Sequence, residues 1–493
     1  MTSSPRDTTA APFPPEADFL GHPRPLWLLF ATEFWERFAY YGMRALLAVY
    51  VASTFFALLP EGEAKAQASL TYGAYTALIY ATGIFGGFIA DRYLGYRPSI
   101  LLGGAIMALG LFLLLIPDLD WFLIGLAVIV VGNGLFKPNI STMVGMLYSK
   151  HDARRDSGFT IFYMGINAGA ALAPLVCGTI VGRHFGYQWG FFAAGIGMIL
   201  GLILFQWLVG WMAGVGRAPR PELSLARVAK IAFGCIALVP VVYLMLSQAL
   251  VVGWLLMFLM IVLTVYFIGS GVRSGDKVQL HRYIAMLLLF LAKILFWGMY
   301  EQAGSSLNFF AKDYVDAPFD FTLFQSANPV LIILLAPLFA WLWPRLESRN
   351  LNPSIPRKFA IALVLVAIGF TTLVLTIGEA MEGDGRIAWQ MLVLAYLFNT
   401  MGELCLSPIG LSMVTKLAAP KETGLAMGAW FLCTAIGNYV AGAVASIASG
   451  GDAASGLAQY AETYSHIAWA GFGFGAAFLL FAPLINRLMH GVR

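Results

Sequence analysis

The most unusual chemistry in this sequence is a row of charged side chains inside an apolar segment. The chain between Leu26 and Phe56 suits a lipid-spanning helix, yet its stretch EFWERFAYYGMR contains two glutamates and two arginines. On a helix that turns about 100° per residue, spacings of three and four residues place a polar set on one face: Glu33, Glu36, Arg37, Tyr40, Tyr41 and Arg44. This pattern indicates an inward-facing polar wall about 16 Å long. A static salt-bridge network is the alternative interpretation.

Other charged residues also fall deep within apolar segments, namely the bases Lys137 and Lys293 and the acids Glu301 and Glu403. A lone charge at the bilayer centre costs about 2.5–3.5 kcal/mol or more, so such residues are expected to pair around a water-filled cavity and to be functional. Counted along their helices, Arg44 and Glu301 lie at similar depths, and Lys137 and Glu403 lie near the midplane. We therefore predict an Arg44–Glu301 pair, whereas the sequence indicates no partner for Lys293.

The composition of the whole chain is that of a polytopic membrane protein. Of its 493 residues, 59% are hydrophobic and 11% are charged, which lies outside the usual range of soluble domains. At about 20 apolar residues per span, fourteen transmembrane helices are predicted. Most of the 30 basic residues fall in segments at one face of the membrane, and the other face has only Lys65, Arg183, Lys312 and Arg386. The positive-inside rule therefore predicts that both termini are cytoplasmic.

The remaining features exclude several classes of protein. The first 24 residues are polar and rich in proline, which predicts a disordered cytoplasmic leader rather than a removable signal peptide. The cysteines lie in apolar segments at unrelated spacings, so they are expected to be buried small side chains and not a disulfide framework or a metal site: Cys177, Cys235, Cys405 and Cys433. The excess of basic charge is explained by the basic residues in loops at one face of the membrane. No nucleic-acid partner and no cofactor are therefore predicted.

Several longer motifs resemble the proton-dependent oligopeptide transporter (POT) family of the major facilitator superfamily. The ExxER motif of the first helix is present as Glu33, Glu36 and Arg37, followed by Tyr40 and Tyr41. Four further motifs follow in the family's order: GGFIADRYLGYR (86–97), FYMGINAGA (162–170), WGMYEQAGSS (297–306) and GELCLSPIGLS (402–412). The resemblance implies an all-α integral membrane protein with the major facilitator fold, which is two six-helix bundles plus an inserted two-helix hairpin.

Under this resemblance the chain divides into four parts. They are a leader (1–24), an N-terminal six-helix bundle (25–216), an inserted helical pair with its linkers (217–278) and a C-terminal six-helix bundle (279–493). The inserted pair has no buried charge, which favours scaffolding or lipid contact over transport chemistry. The resemblance implies a location in a bacterial inner membrane and function as a monomer.

The resemblance implies that the two ends of a peptide bind to oppositely charged residues. Arg37 and Lys137 would bind the peptide carboxylate. Glu403, together with Asn167 and Asn328, would receive the peptide amino group. Interhelical hydrogen bonding is the alternative role for the two asparagines.

Aromatic residues are implied to contact the middle of the peptide. Tyr40, Tyr41 and Tyr80 would hydrogen-bond the peptide backbone, and Trp297 and Trp430 would shape side-chain pockets. Packing within the membrane is the alternative for Tyr80 and Trp297.

In this chain, carboxylates are expected to bind the coupled proton. Animal members of the family have a functional histidine in the second helix, where this chain has Gly73. The implied proton-coupling residues are Glu33, Glu36, Glu301 and Glu403. A carboxylate that exchanges cationic partners between conformations can bind and release a proton. Burial raises the pKa of a carboxyl group, and a neighbouring cation lowers it.

Two ion pairs and two further residues are implied in gating. Arg44 with Glu301 would close the outer side, and a weaker peripheral pair is expected between Lys65 and Asp313.

Lys137 and Pro408 would act nearer the middle of the membrane. Lys137 would respond to the occupancy of substrate and proton. Pro408 frees a backbone carbonyl and permits a hinge, with a static kink as the alternative.

The function implied is secondary active transport, in which di- and tripeptides enter the cytoplasm together with protons by alternating access. Within transport, the alternative is a proton-coupled facilitator for another solute, such as a drug, nitrate or other anion. A membrane enzyme would need a catalytic constellation, and the sequence shows no nucleophile–base pair or metal-spaced cluster at membrane depth. The chain is therefore not expected to be an enzyme.

Overall fold

The computed structural model describes residues 18–149, 152–217, 224–451 and 456–492, without the side chains of residues 84, 85, 225, 408 and 411. These residues form fourteen long helical segments. In chain order they are α1 Arg24–Thr54, α2 Glu61–Leu94, α3 Tyr96–Leu113, α4 Leu119–Met146, α5 Arg155–Phe185, α6 Tyr187–Met212, α7 Leu225–Ser247, α8 Ala249–Ser274, α9 Lys277–Tyr314, α10 Phe321–Glu347, α11 Ile355–Glu382, α12 Trp389–Leu417, α13 Thr423–Ala448 and α14 Gly456–Leu488.

Length and composition explain why these helices can span a membrane. In the described part of the chain, thirteen of them contain an apolar stretch of at least 18 residues with at most two charges. The other helix, α1, has 31 residues, but its charged and tyrosine residues make every such stretch too polar. With α1 included, the fourteen transmembrane helices predicted from the sequence are confirmed, and the chain is a multi-pass membrane protein.

Five helices change their hydrogen-bonding pattern along their length: α6 ends in a 3₁₀ turn at Val209–Met212 and α10 begins with one at Phe321–Ser326. The other three are α2, α5 and α9. α2 ends in a π-helical turn at Ala90–Leu94, α5 contains a π-helical segment at Pro174–Gly182, and α9 is interrupted by a 3₁₀ turn at Glu301–Gly304. Pro174 lacks a backbone N–H, which explains the wider turn in α5. The regular pieces of these helices are Glu61–Ala81, Gly83–Ile89, Arg155–Ala173, Arg183–Phe185, Lys277–Tyr300 and Ser306–Tyr314.

Four very short strands form two ladders. β1 (Asp18–Phe19) pairs with β2 (His22–Pro23) in antiparallel fashion, and β3 (Val315–Asp316) pairs with β4 (Ile387–Ala388) in parallel. The first ladder lies within the predicted leader. Residues 1–17 of that leader lie outside the described residues, and the disorder predicted for the leader does not extend over residues 18–24, because these form the ladder and the start of α1.

Polar contacts attach the β1–β2 ladder to the segment after α4. Arg154 Nη1 donates to Asp18 Oδ2 at 2.5 Å, and Arg154 Nη2 lies 3.0 Å from Asp152 Oδ2. His22 Nδ1 lies 2.8 Å from the Tyr148 hydroxyl. Hydrogen bonds from the side chain and backbone of Arg154 lower the pKa of Asp152 below its usual value, so this carboxylate stays ionised in its pairing with Arg154.

The chain forms two compact units that are not continuous in sequence. One unit contains the chain up to Met43 and residues Thr82–Tyr243, and the other contains Arg44–Ala81 and Leu244–Arg493. The second part of α1 and the first part of α2 therefore belong to the unit that contains the C-terminal helices. The sequence-based division at 25–216, 217–278 and 279–493 follows chain order instead, and it stays a prediction.

The inserted pair, α7 and α8, is attached by polar contacts within each unit. In the first unit the Tyr243 hydroxyl donates to Asp120 Oδ1 at 2.7 Å. In the second unit Ser270 donates to Glu422 Oε1 at 2.6 Å, and Tyr283 of α9 donates to Glu422 Oε2. Burial alone would raise the pKa of Glu422, but these hydrogen bonds lower it below the usual value. The predicted scaffold role of the pair agrees with these contacts and stays a prediction.

Glycines allow close helix crossings in both units. In the first unit, a Cβ atom on Gly103 of α3 would lie 2.7 Å from the carbonyl oxygen of Gly132 in α4. In the second unit, a Cβ on Gly73 of α2 would lie 2.7 Å from the Cα of Gly442 in α13. Small residues let backbones approach in this way, which is how transmembrane helices gain packing energy without a hydrophobic driving force. Gly73 therefore has no room for a side chain here.

Gly73→Ala is predicted to destabilise the protein because its methyl group must push apart the backbones of α2 and α13. Overpacking of this kind costs about 1–3 kcal/mol. The midpoint of thermal unfolding in detergent should fall. Gly83→Ala in the same span is the matched control, since a Cβ there meets nothing within 4 Å; its midpoint should stay unchanged or rise slightly because alanine favours helix. Equal midpoints for the two variants would contradict the close crossing.

Candidate functional site

The polar stripe of α1 forms a buried ion cluster in the first unit. Glu33 and Glu36 are fully buried, and Arg37 is 6% exposed. Arg37 binds Glu36 through two parallel hydrogen bonds of 2.5 Å, and its Nε lies 3.5 Å from Glu33 Oε1. The two-pronged contact matches the planar guanidinium to the carboxylate. The predicted common face of these three residues is confirmed.

Lys137 completes this cluster from α4. Its Nζ donates to Glu33 Oε1, so two acids and two bases lie together and their formal charges cancel. The Lys137 side chain is 32% exposed, in contrast to the buried glutamates. Glu33 Oε2 has no hydrogen-bond partner within the described residues. The cluster is therefore neutral overall, with one cation and one carboxylate oxygen still able to take a new partner.

Tyrosines line the Arg37 side of the cluster. The guanidinium carbon of Arg37 lies 4.8 Å from the centre of the Tyr40 ring and 6.0 Å from that of Tyr41. Asn167 of α5 is also buried, but its amide donates to the carbonyl of Tyr163 in its own helix at 2.9 Å. The structure thus brings Tyr40 and Tyr41 to the ion cluster, and it shows Asn167 in an intrahelical hydrogen bond rather than an interhelical one.

The predicted Arg44–Glu301 pair is present in the second unit. Arg44 Nη2 donates to Glu301 Oε2, and the two residues are 7% and 3% exposed. Arg44 Nε also donates to the Tyr72 hydroxyl at 2.5 Å. Glu301 opens the 3₁₀ turn of α9, and the Tyr72 ring lies against Gly304 at the end of this turn, where any side chain would collide with it. Tyr72 was not predicted.

A more exposed pair lies in the same unit. Lys65 Nζ donates to Asp313 Oδ2 at 2.7 Å and lies 2.6 Å from Glu61 Oε1. The Glu61 side chain is 60% exposed. The predicted Lys65–Asp313 contact is confirmed, and its exposure makes it weaker than the buried Arg44–Glu301 pair.

Glu403 has neutral partners. Tyr300 donates to Glu403 Oε2 at 2.6 Å, and Asn328 donates to the same oxygen at 3.0 Å. Asn328 also contacts the Thr400 hydroxyl at 3.1 Å. In the part of the chain that the structure describes, the ion pairs within 4.0 Å do not include Glu403. This carboxylate is held in place by hydrogen bonds while its charge stays available to a cation.

The two predicted tryptophans lie on different helices of the second unit. The Trp297 ring of α9 packs edge-on against Tyr300 at 5.1 Å, and its Nε1 has no hydrogen-bond partner among the described residues. Trp430 of α13 is 3% exposed and packs on Phe290 at 5.9 Å. Lys293 Nζ contacts Trp430, a contact that the sequence did not indicate. Tyr80 is half-buried on α2.

Pro408 lies within α12, but its side chain is outside the described residues. Its predicted hinge role stays a prediction. The four cysteines are buried, as predicted, and unbridged.

Buried charges inside membrane-spanning helices are rare and mark substrate or ion pathways, which favours a membrane transporter over a lipid-facing scaffold. Comparison with known proteins agrees with this class. The sequence profile of the POT family matches residues 97–463, which is most of the chain. The chain belongs to the POT family.

The chain also matches individual relatives over most of their length. The chain is 37% identical to the "Uncharacterized transporter YclF" of Bacillus subtilis, with 97% of both chains covered. It is 36% identical to the "Peptide transporter YePEPT" of Yersinia enterocolitica, over 86% of this chain and 88% of the relative. It is 38% identical to a "Di-/tripeptide transporter" of Lactococcus lactis, over 85% of this chain and 88% of the relative.

Solved structures show the same fold. A crystal structure of a peptide transporter POT in complex with sulfate superposes with a TM-score of 0.82 at 35% identity, covering 97% of this chain and 98% of the other. A POT family transporter in complex with 5-aminolevulinic acid gives a TM-score of 0.80 at 31% identity, covering 96% and 99%. These matches confirm the fold class that the motifs implied.

Arg44 and Glu301 are predicted to stabilise the fold as a pair, so removing one residue should destabilise it more than removing both. Arg44→Met leaves Glu301 buried without its cation, which should lower the free energy of unfolding by about 3–5 kcal/mol. The double variant Arg44→Met/Glu301→Met removes both charges and should recover most of this loss. Chemical unfolding in detergent measures each value. The less buried Lys65–Asp313 pair, whose side chains are 14% and 21% exposed, is the control, and Lys65→Met should cost clearly less than Arg44→Met. A double variant as unstable as Arg44→Met would contradict the coupling.

Proposed function

We propose that this protein is a proton-coupled symporter that carries di- and tripeptides into the cytoplasm by alternating access. The observation that supports this most is the contrast between two groups of buried charges. Arg37 and Lys137 are cations held by acids that can exchange partners, and Glu403 is a carboxylate whose hydrogen-bond partners among the described residues are neutral. A zwitterionic peptide needs a cation for one end and an anion for the other.

The carboxylate of the peptide binds to Arg37 and Lys137 in this proposal. The planar guanidinium of Arg37 already makes two parallel hydrogen bonds to Glu36, and a peptide carboxylate fits the same geometry. Lys137 is the more exposed cation of the cluster and pairs with Glu33. Tyr40, next to Arg37, supplies a hydroxyl close to this end of the peptide.

Further polar groups contact the peptide backbone. Tyr41, Tyr80 and Asn167 are the proposed contacts. Backbone recognition of this kind leaves the side chains free to vary, which suits a transporter that accepts many peptides.

The amino group of the peptide binds to Glu403. Tyr300 and Asn328 orient the carboxylate through a single oxygen, so the other oxygen is available to the ammonium group. Trp297 and Trp430 supply apolar walls for the side chains. A few oriented polar groups within an apolar lining are the usual design of a small-molecule site.

Proton coupling follows from exchange of partners within the ion cluster. When the peptide carboxylate binds Lys137 and Arg37, it competes with Glu33 and Glu36 for the same cations. A glutamate without a cation in a low-dielectric site favours its protonated form. Glu301 and Glu403 are the corresponding candidates in the second unit. One proton that crosses about 100 mV supplies about 2.3 kcal/mol for accumulation.

Gating depends on contacts that break during the cycle. The Arg44–Glu301 pair and the Lys65–Asp313 pair are the proposed outer contacts, with Lys137 responding to occupancy and Pro408 as the hinge in α12. Protonation of Glu301 would weaken its bond to Arg44 and so link the gate to the proton. The protein acts as a monomer in a bacterial inner membrane, with both termini in the cytoplasm.

Uptake of a labelled dipeptide into proteoliposomes tests this function. Wild-type protein should accumulate the dipeptide when the outside is more acidic, and unlabelled dipeptides should compete. Glu403→Gln should lower gradient-driven uptake at least about tenfold, because an amide has no charge for the peptide ammonium. Glu382→Gln, at an exposed glutamate, is the control and should match wild type. Correctly oriented, folded wild-type protein that takes up no dipeptide would contradict the proposed substrate.

A further inference from the structure

Three of the four basic residues that the sequence predicts for the outer face line one cavity. The positive-inside rule leaves few bases on this face, and the chain has only Lys65, Arg183, Lys312 and Arg386 there. Of these, Lys65, Lys312 and Arg386 lie around a cavity of about 380 Å³, whose lining residues all belong to the second unit. The few bases of the outer face are therefore concentrated at one cavity.

The β3–β4 ladder brings two of these bases together. Lys312 lies near the end of α9, shortly before β3, and Arg386 directly precedes β4. Besides the ladder itself, Arg386 Nη1 donates to the backbone carbonyl of Asp313 at 3.2 Å. Both basic side chains are exposed, so a solute can reach them from the solvent.

The lining has a net positive charge. Lys65 Nζ contacts both acids of the lining, Glu61 at 2.6 Å and Asp313 at 2.7 Å. Within the described residues, no carboxylate lies within 4.0 Å of the cationic nitrogens of Lys312 or Arg386. An ammonium group has three N–H donors and a guanidinium has five. These two side chains can therefore bind a carboxylate, which Arg386 can contact through two parallel hydrogen bonds.

The same lining contains a buried hydroxyl. Tyr460 of α14 is 2% exposed, and its hydroxyl has no hydrogen-bond partner among the described residues. Its ring lies 5.3 Å from the ring of Phe310 and 5.8 Å from that of Tyr314. A buried donor without a partner is costly, and a bound carboxylate that accepts from it would remove this cost. The hydroxyl is therefore a third donor for an anion in the cavity.

An apolar cavity of about 220 Å³ adjoins the charged one. The two cavities share four charged residues: Glu61, Lys65, Lys312 and Asp313. The rest of the second lining is mostly apolar and includes Phe56 and Phe309. A ligand that fills both cavities has a carboxylate next to an apolar group, which is the chemistry of the C-terminal residue of a peptide. The volume also suits a small molecule, since such pockets measure about 300–1,000 Å³.

We propose that these two cavities form an outer capture site for the incoming peptide, in which Lys312 and Arg386 bind its terminal carboxylate before the outer side opens. This inference rests on the proposed peptide transport. A carboxylate held there competes with Asp313 for Lys65, so capture weakens one of the proposed outer gating contacts. The capture site adds a binding step that precedes the central site.

The number of peptides that bind to one chain tests the capture site. Full-length protein in detergent at about 0.01 M salt, where charges are little screened, should bind two molecules of labelled Ala-Ala per chain. Lys312→Gln/Arg386→Gln should lose the weaker site and keep the stronger one, whereas Arg386→Lys should keep both. Glu403→Gln should keep the weaker site. Arg183→Gln is the matched control, because this exposed base of the outer face lies outside both cavities; it should bind two molecules.

Uptake into proteoliposomes gives the second readout. At low salt, Lys312→Gln/Arg386→Gln should lower the ratio of maximal rate to half-saturating concentration about three- to tenfold, because a charged site raises the local concentration of its ligand. The difference from wild type should vanish at about 1 M salt, where the Debye length is about 3 Å. Arg183→Gln should match wild type at both salt concentrations.

Several outcomes would overturn the proposal. Binding of a single Ala-Ala by wild type does so without any variant, even if Lys312→Gln/Arg386→Gln fails to fold. Two bound molecules in the folded double variant, or loss of the weaker site in Arg183→Gln as well, also does so. If malonate raises the unfolding temperature of wild type but not of the double variant, while one Ala-Ala binds, the ligand is a free carboxylate and not the peptide.

Failure of the capture site differs from failure of the proposed function. Normal uptake of Ala-Ala with a single bound molecule per chain would contradict the capture site alone. If Ala-Ala neither binds nor enters the vesicles, the proposed peptide transport fails, and the capture site fails with it.

Discussion

A charged side chain is costly in the hydrocarbon of a bilayer, so it is expected to pair with an opposite charge or to face the bundle interior or a water-filled cavity. This constraint organises the chemistry of the chain. Glu33, Glu36, Arg37 and Lys137 form one neutral group, and Arg44 with Glu301 forms another. Because each group is neutral only as a whole, a change in any member changes the charge that the others must balance.

Most of these paired charges lie on one helix, α1. Its first part contributes the ion cluster to one compact unit, and its second part, from Arg44 onward, belongs to the other. Tyr40 and Tyr41 belong to the first part and lie beside Arg37. Residues proposed for substrate binding, proton exchange and gating therefore lie within about three turns of one helix. Their polarity explains why α1 is less apolar than the other thirteen long helices of the described residues.

Counting along the sequence predicted much of this arrangement. Stretches of about 20 mostly apolar residues and the distribution of basic loops indicated fourteen spans, and depth along a helix paired Arg44 with Glu301. Depth alone does not say which face of one helix meets which face of another. For this reason Tyr72 beside Arg44, Tyr300 beside Glu403 and Trp430 over Lys293 became visible only in the structure. The π-helical segments and the ladder at residues 18–23 depend on local hydrogen bonding that periodicity does not encode.

In the proposed mechanism the peptide and the glutamates compete for the same buried cations, so peptide binding should change the number of bound protons. Calorimetric titration of a dipeptide in buffers of different ionisation enthalpy measures that number directly. For wild-type protein near neutral pH we expect net proton uptake on binding, and a clearly smaller uptake for Glu33→Gln. Dipeptide binding with the same heat in every buffer, and hence no proton exchange, would contradict the account.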